Sequence, residues 1–538
     1  MRQLALPFVA VAMWLPLHAA SAASFDCAKA QTATEKLVCS DPTLSRLDEQ
    51  LNDAYRSAQH RAESRAALRD AQDAQRKWLS TRRDVCSDAA CLRAAYLARI
   101  DALLDESTAN PTTETLELNA SKARETYAAP DGTCDGFPRL KIGMAPGMCA
   151  GLVTGPTQAD ATRKIRMPRE LLELDANTWL VTDLGGWVGK TGAVWRIRMD
   201  AGKSIKVDAV ISHLQLPHSI AMGPGQRVYV SEMGRIFRFD PNAADPAATI
   251  EPVITDLPDN KLHANRHPIA SFIFDADGAL LVNVGAPSDQ CLSPAGKPAA
   301  PTCPESEQGE QAASIRRYAL AGPGQWSRQY TVHARGLRNS VALARHASGT
   351  ILQGENSYDF ESRLSPFEEI NVIEAGRHYG WPYCYDNRAP SPGWKDLAVA
   401  RCADKRFTAP TLLLPPHSAP LSMLWYNGAM FPDLRGKLLV ALHGFRSVGG
   451  RIAAFATDAK GIPVRNARAK FPVYGGAPQP YGSANAADAF ILTPNWNKMV
   501  GVRPQGSPVG LAVAKDGAIW TTDDRAGLVI RIAKNGER

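Results

Sequence analysis

Pro217-His-Ser-Ile-Ala-Met-Gly-Pro-Gly-Gln-Arg-Val-Tyr-Val-Ser-Glu232 is the stretch from which the fold is read. An apolar run meets a Gly-containing turn and is answered at once by a run of β-branched and aromatic residues, the pattern of a strand, a tight turn and a returning strand. The layout recurs. Pro268-Ile-Ala-Ser-Phe-Ile-Phe-Asp-Ala-Asp-Gly278 precedes Ala-Leu-Leu-Val-Asn-Val284, Arg338-Asn-Ser-Val-Ala-Leu-Ala-Arg-His-Ala-Ser-Gly349 precedes Thr-Ile-Leu-Gln-Gly354, and Pro508-Val-Gly-Leu-Ala-Val-Ala-Lys-Asp-Gly517 precedes Ala-Ile-Trp-Thr-Thr522. Repeated hairpins over roughly 400 residues predict the blades of a β-propeller, of which such folds have roughly 4–8. An array of β-sandwiches is the alternative, and the constant place of the turn glycine favours the propeller.

Upstream of these repeats the composition changes. Residues 24–107 are rich in Ala, Leu, Arg, Asp and Gln, and Asp41-Pro42 reads as a helix start, with Asp as cap and Pro in the first turn. Leu44, Leu47, Leu51, Ala54, Tyr55 and Ala58 then recur at three- and four-residue steps. A second helical stretch runs from Ala62 to about Arg83, and a third carries Leu92, Ala95, Tyr96, Ile100 and Leu103. Residues 108–135, rich in Thr, Ala and Pro, read as a linker to a β-rich domain over 136–538. Residues 1–23 combine Arg2, an apolar run from Leu4 to Leu17 and small residues at 19–23, the pattern of a cleaved secretory signal. No later run approaches the roughly 20 apolar residues of a membrane span.

The 538 residues carry 61 Lys+Arg against 54 Asp+Glu, and these charges are interspersed, which argues against a nucleic-acid partner. Ten cysteines fall in close sequential pairs, and an even count in an exported chain predicts disulfides. The expected pairs are Cys27 with Cys39, Cys86 with Cys91, Cys134 with Cys149, Cys291 with Cys303 and Cys384 with Cys402. There is no CxxC and no CxxCH, so neither a zinc knuckle nor a covalently attached haem is expected.

In a propeller, functional side chains come from equivalent turns of different blades. His267, Arg338, Asn339, His417, His443 and Arg446 each sit at the edge of an apolar β-run. A lone histidine at such a place is more often structural; recurrence at one blade position makes the set a candidate. Residues 356–371 concentrate oxygen ligands of the kind that suit calcium, although on composition alone a solvated acidic loop is the plainer reading. Leu184-Gly-Gly-Trp-Val-Gly-Lys-Thr191 imitates a phosphate loop, but its first glycine is replaced and no helix follows, so nucleotide binding is rejected.

Gly336-Leu-Arg-Asn339, Glu368-Glu-Ile-Asn371 with Tyr379-Gly-Trp-Pro382, His417-Ser-Ala-Pro420 with Trp425-Tyr-Asn-Gly and Phe431-Pro432, His443-Gly444, and the closing Pro508-to-Gly517 hairpin resemble the soluble pyrroloquinoline quinone-dependent glucose/sorbosone dehydrogenase family, in its sorbosone dehydrogenase-like branch. The resemblance covers about two thirds of the chain and implies a six-bladed β-propeller, preceded here by a small disulfide-stapled helical domain. It implies that His267 is the catalytic base and that Arg338 and Asn339 contact the quinone. It further implies Asn356, His417, His443, Arg446 and Arg451 as cofactor-binding residues. Ser357 and Tyr358 match the segment that supplies carbonyl oxygens to the cofactor's calcium, and Glu369 a carboxylate near a second calcium. Two departures stand out: Ser271 replaces a common arginine, and Phe445-Arg-Ser-Val448 replaces the usual loop.

Asp26-Cys27, Glu35-Lys-Leu-Val-Cys39, Leu47-Asp48, Tyr55, Gln75-Arg-Lys-Trp78 and Arg83-Asp-Val-Cys86 with Cys91 resemble the LprI-like lysozyme-inhibitor family. That resemblance implies lysozyme or another envelope protein as a partner. The expected protein is therefore a periplasmic or secreted quinoprotein oxidising a sugar or related hydroxyl or aldehyde, with electrons leaving to an external acceptor. A non-catalytic envelope binding protein is the alternative.

Overall fold

A computed structural model describes residues 23–41, 44–45, 47–48, 51–52, 55, 65–104, 128–155, 165–187, 189–200, 205–258, 266–293, 296–308, 311–360, 365–394, 397, 402–403, 406–444, 448–472, 478–494, 496 and 506–536. The signal-like segment to residue 22, Pro42, Ala54, Ala58, Ala62, residues 105–127 of the expected linker, and Arg446 lie outside the described residues. The chain divides into two compact units between Thr112 and Thr113.

The first unit contains helices Ala33–Ser40, Arg65–Trp78 and Ala89–Leu104. The shortest, which the apolar periodicity did not predict, starts on a reciprocal cap in which Thr32 accepts from the Glu35 N–H and Glu35 from that of Thr32. Asp41 caps the following turn as expected, accepting from the Leu44 N–H at 3.2 Å. Leu44, Leu47, Leu51, Trp78, Leu92 and Tyr96 are buried in one apolar cluster. Inside it, Asp48 accepts from the Tyr96 hydroxyl at 2.7 Å and the Ser24 N–H at 2.9 Å, so the buried carboxylate is satisfied. No helix among the described residues is long and apolar enough to cross a membrane.

All five expected disulfides are present: Cys27–Cys39, Cys86–Cys91, Cys134–Cys149, Cys291–Cys303 and Cys384–Cys402.

The second unit is a six-bladed β-propeller. From blade one to blade six the inner strands are Pro168–Asp175, Ile220–Gly223, Phe272–Phe274, Ala342–Arg345, Pro420–Trp425 and Pro508–Val513. Each blade is an antiparallel sheet, and blade three gains the short parallel strand Arg377–His378. Blade six closes the ring because Met148–Thr154 pairs with the C-terminal strand Leu528–Lys534. Strands Ala128–Cys134 and Phe137–Leu140 extend it. The first lies in the stretch expected to be linker and is tied to the sheet through Cys134–Cys149.

Sheets that pack on both faces bury side chains of both parities, so the middle strands read as unbroken apolar runs. Leu280–Val284 and Leu438–Leu442 are buried at every position. A separate apolar cluster fills each blade interface; between blades six and one Trp520 stacks on Trp179 with ring centroids 4.1 Å apart.

Nearer the axis, polar stitches join the blades. Ser231 donates to the Ala270 carbonyl of blade three at 2.7 Å, and Thr522 to the Arg169 carbonyl of blade one at 2.6 Å. Thr182 donates likewise to His218, and Ser271 to Val341. Asn356 Nδ2 reaches the Pro420 carbonyl at 3.1 Å. Ser271, where the resemblance expected arginine, thus joins blade three to blade four. Thr182 and Thr522 also accept an inner-strand N–H of their own blade, and Ser231 that of Ser219, the residue just before its inner strand. Thr522→Val therefore leaves a buried N–H and a buried carbonyl unpaired, and should cost roughly 1–3 kcal/mol. Urea unfolding of the variant checks this; an unchanged midpoint would show the stitch to be energetically idle.

Candidate active site

A carboxylate at the end of the second strand organises one mouth of the channel. Asp183, Glu355 and Asp523 accept from the N–H groups of Met167, Asn339 and Ser507 at 2.7, 3.1 and 3.2 Å, and Glu232 accepts from Gln215. Each partner lies just before its own blade's inner strand, so the carboxylate fixes where that strand begins. The next residues, Leu184, Met233, Asn356 and Asp524, are held at the same mouth by backbone bonds to Met167, Gln215, Asn339 and Ser507, and His443 is held by Ala419. Beneath them Leu216, Ile269, Val341, Leu421 and Val509, one from each of blades two to six, form an apolar collar with Leu184 and Met233.

On the side of blades three and four, His267 and Arg338 converge, both almost fully buried. One residue links them: the Ala286 carbonyl takes a hydrogen bond from His267 Nδ1 at 2.6 Å, and its N–H donates to the Arg338 carbonyl at 2.8 Å. Because a carbonyl only accepts, His267 carries its proton on Nδ1 and its basic lone pair on Nε2. Burial, then the Arg338 charge, hold this imidazole well below its usual pKa, so it is neutral. Burial opposes the Arg338 charge, yet Asp289 at 2.7 Å and Asp359 at 3.1 Å keep the guanidinium protonated. Its NH1 donates to the Asn356 carbonyl at 2.8 Å. Among the described residues Arg338 Nε and Asn339 Oδ1 are buried without a hydrogen-bond partner, which is the condition a polar ligand edge would relieve.

On the opposite side, Asp524 of blade six accepts from Arg169 of blade one at 2.7 Å and from His443 of blade five at 2.9 Å. Arg169 Nε in turn donates to His218 Nδ1 at 3.2 Å. Burial works against the Asp524 charge, but His443 and then Arg169 outweigh it and bring the carboxyl down to about 2. His443 and Arg169, both bound to Asp524, form a polar wall facing the His267 side, with the Arg169 guanidinium as its cation.

The other expected residues are dispersed. His417 precedes the inner strand of blade five with Nε2 3.1 Å from the Ser365 carbonyl. Arg451 begins the third strand of blade five and donates to the Pro472 carbonyl at 2.5 Å. A third strand lies two strands, about 10 Å, out from the inner one, so Arg451 starts from a position away from the strand that borders the channel. The Ser357 N–H donates to Glu368 Oε2 at 2.5 Å, and the Tyr358 hydroxyl reaches the Cys384 carbonyl at 3.3 Å. These bonds leave the carbonyls of both residues for ligation. Glu369, also on a third strand, faces Glu355 in register and accepts from Asn371 at 3.2 Å. Among the described residues no three His, Cys, Asp or Glu side chains converge as a cation site. Burial, then mutual repulsion, push Glu369 well up, and burial brings Glu355 to about 7 and Glu368 to about 8. Buried carboxylates raised in this way are chemically suited to a hard cation.

Sequence reasoning missed Arg169, His218, Asp289, Asp359 and Asp524. His218 stood in the opening repeat, two residues before its inner strand, and Asp524 follows the Thr521-Thr522 end of another; aligning the hairpins by their turn glycine would have found both. Asp289 and Asp359 come from irregular loops with no such frame.

An apolar-collared channel holding a buried neutral histidine, a buried arginine and an opposed, aspartate-paired second arginine on a six-bladed propeller has the architecture of the soluble quinoprotein sugar dehydrogenases. Residues 152–535 match the TrAA12-like family, and the chain belongs to it. Residues 27–127 match lysozyme inhibitor LprI. Among solved structures, the holo pyranose dehydrogenase PQQ domain of Coprinopsis cinerea superposes with a TM-score of 0.56 and 21% identity, covering 75% of this chain and 100% of that one. A family AA12 carbohydrate-active enzyme of Trichoderma reesei gives 0.53 and 18%, covering 73% and 98%. A curated relative, an uncharacterized protein of Borreliella burgdorferi, is 31% identical over 204 residues; the match covers 37% of this chain and 47% of that protein, so this chain spans about half of the relative's length.

Two titrations test the channel. The Asp524 pKa is depressed, so its stabilisation is full above the ordinary 3.8 and lost as pH falls through about 2. Asp524→Asn, which leaves Arg169 buried and unpaired, should cost on the order of 3 kcal/mol at neutral pH, and the gap to the parent should narrow in acid unfolding. Glu170, whose carboxyl meets Ser422 and the Leu511 N–H in the channel, is pushed up by burial to about 7. Its contribution is present below 4.5 and lost as pH rises through about 7, so Glu170→Gln should flatten the fall in melting temperature between about pH 5 and 8.

Proposed function

We propose that the propeller is an exported quinoprotein oxidoreductase that oxidises a hydroxyl or aldehyde carbon of a sugar. One observation carries the reading: His267 is buried, neutral and locked by the Ala286 carbonyl in the tautomer whose lone pair is on Nε2. That nitrogen takes the proton of a substrate hydroxyl, and the fixed ring needs no reorientation to do so. Arg338 Nε offers a buried donor to the polar edge of a quinone, and a preorganised donor of this kind stabilises negative charge as it develops, while Asn339 Oδ1 offers an acceptor to a protonated edge. Arg169, bound to Asp524 beside His443, offers a cation to cofactor carboxylates across the channel. The carbonyls of Ser357 and Tyr358 suit calcium. When bound, pyrroloquinoline quinone supplies the hydride acceptor and calcium its polarisation. The apolar collar closes the channel below and keeps water from the reacting carbon. With no CxxCH in the chain, electrons pass to an external acceptor.

The disulfides and the signal-like segment support a periplasmic or secreted location. The LprI match supports a second activity for the first unit, binding of lysozyme or another envelope protein.

Purified protein mixed with pyrroloquinoline quinone and calcium should show saturable uptake by absorbance, and dye reduction with members of an aldose panel. His267→Ala should retain uptake and lower turnover roughly 10²–10⁴-fold. Absence of uptake would leave the propeller a binding domain.

A further inference from the structure

Trp187 is 53% exposed, whereas the other described tryptophans are buried or partly buried. It lies between the second and third strands of blade one, Thr178–Asp183 and Gly192–Met199, inside the segment that imitates a phosphate loop. We propose that this indole is the stacking platform for a pyranose ring at the mouth of the channel. The proposal rests on the oxidoreductase reading and names the residue that receives the sugar.

Position comes first. Asp183 caps the start of its inner strand in the way Glu355 caps the start of the strand after Arg338, so both belong to the same mouth. Leu184 is fully buried in the collar with Ile269 and Val341. Trp187 follows it by three residues, and three residues span at most about 10 Å. The indole is therefore tethered beside the channel that holds His267. Exposed Met222 and Leu320, by contrast, lie at the turns that end the first strand of blade two and the third strand of blade three, the far end of the blades.

The loop is also built to hold its shape. Asp183 accepts from the Gly185 N–H at 2.9 Å and from Trp195 Nε1 at 2.9 Å, and the Thr191 hydroxyl reaches the Leu184 carbonyl at 3.3 Å. Gly185 has φ +67°, and a Cβ there would lie 2.0 Å from the Thr191 carbonyl oxygen, so only glycine fits. A large apolar ring left in water between these anchored loop ends has hydrophobic burial still to gain.

The chemistry of the mouth selects the occupant. The residue that follows the second strand is Leu184 in blade one and Met233 in blade two, but Asn356, His443 and Asp524 in blades four to six. Hydrogen-bonding groups, Asn356, Asp524 and Arg169 among them, thus stand around the channel, and Trp187 adds the exposed apolar ring beside them. A pyranose has the matching two faces, an apolar C–H face that stacks on an aromatic ring and a hydroxyl rim that needs polar partners.

The test titrates the full chain, with and without quinone and calcium, with glucose, other aldoses and their soluble oligosaccharides, following tryptophan fluorescence and heat. Trp187→Ala should weaken sugar binding and raise KM roughly three- to tenfold, with kcat and quinone uptake unchanged; Trp187→Phe should recover most of the loss. Equal sugar affinity in parent and alanine variant, or no response to any sugar at the highest soluble concentration, overturns the proposal, including the case in which a protein partner covers the indole. Loss of quinone uptake with Trp187-dependent sugar binding intact would instead sink only the oxidoreductase reading.

Discussion

Hydroxyl groups that serve two blades at once are the constraint on which this molecule depends. Neighbouring blades meet face to face, so no strand ladder runs between them, and the radial geometry leaves least room for apolar packing next to the axis. There, Thr182, Ser231 and Thr522 each accept from an N–H in or just before their own inner strand and donate to a carbonyl of the next blade. A backbone group buried without a partner costs as much as a lost hydrogen bond, so these bonds fix the register of one blade against the next. Every position named at the channel mouth inherits that register.

Charge at the mouth follows the same economy. Arg338 is buried only in the company of Asp289 and Asp359, and Arg169 only with Asp524. Desolvating a guanidinium is costly unless a carboxylate and further hydrogen bonds meet it. The pairs therefore set two opposed cationic groups across the channel, and the neutral His267 is a consequence: beside Arg338, in a buried site, the protonated imidazole is the disfavoured form. The site thus depends not on the histidine alone but on burial and the paired arginine that keep it unprotonated.

The hairpin layout, the small helical unit and all five cysteine pairs were legible in the linear chain, because each depends on residues close in sequence. The pairing of His267 with Arg338 was legible from their matching places before two inner strands. Arg451 and Glu369 illustrate the converse: each has suitable chemistry, yet stands on a third strand, and distance from the axis cannot be read from residue type. Asp524 escaped notice because its partners, Arg169 and His443, come from blades one and five, brought to it only when the ring closes.

Closure is where sequence stops. Alternation, turn glycines and cysteine spacing by themselves determined that the chain makes short hairpins, a disulfide-stapled helical module and a set of polar residues at strand edges. Only the tertiary structure decided that Met148–Thr154 pairs with Leu528–Lys534. That pairing brings the ends of the propeller together, sets blade six against blade one, and so places Asp524 on Arg169. Local pattern encodes what neighbours in the chain do to one another. The sign and depth of a channel depend on groups hundreds of residues apart, whose meeting is settled by packing.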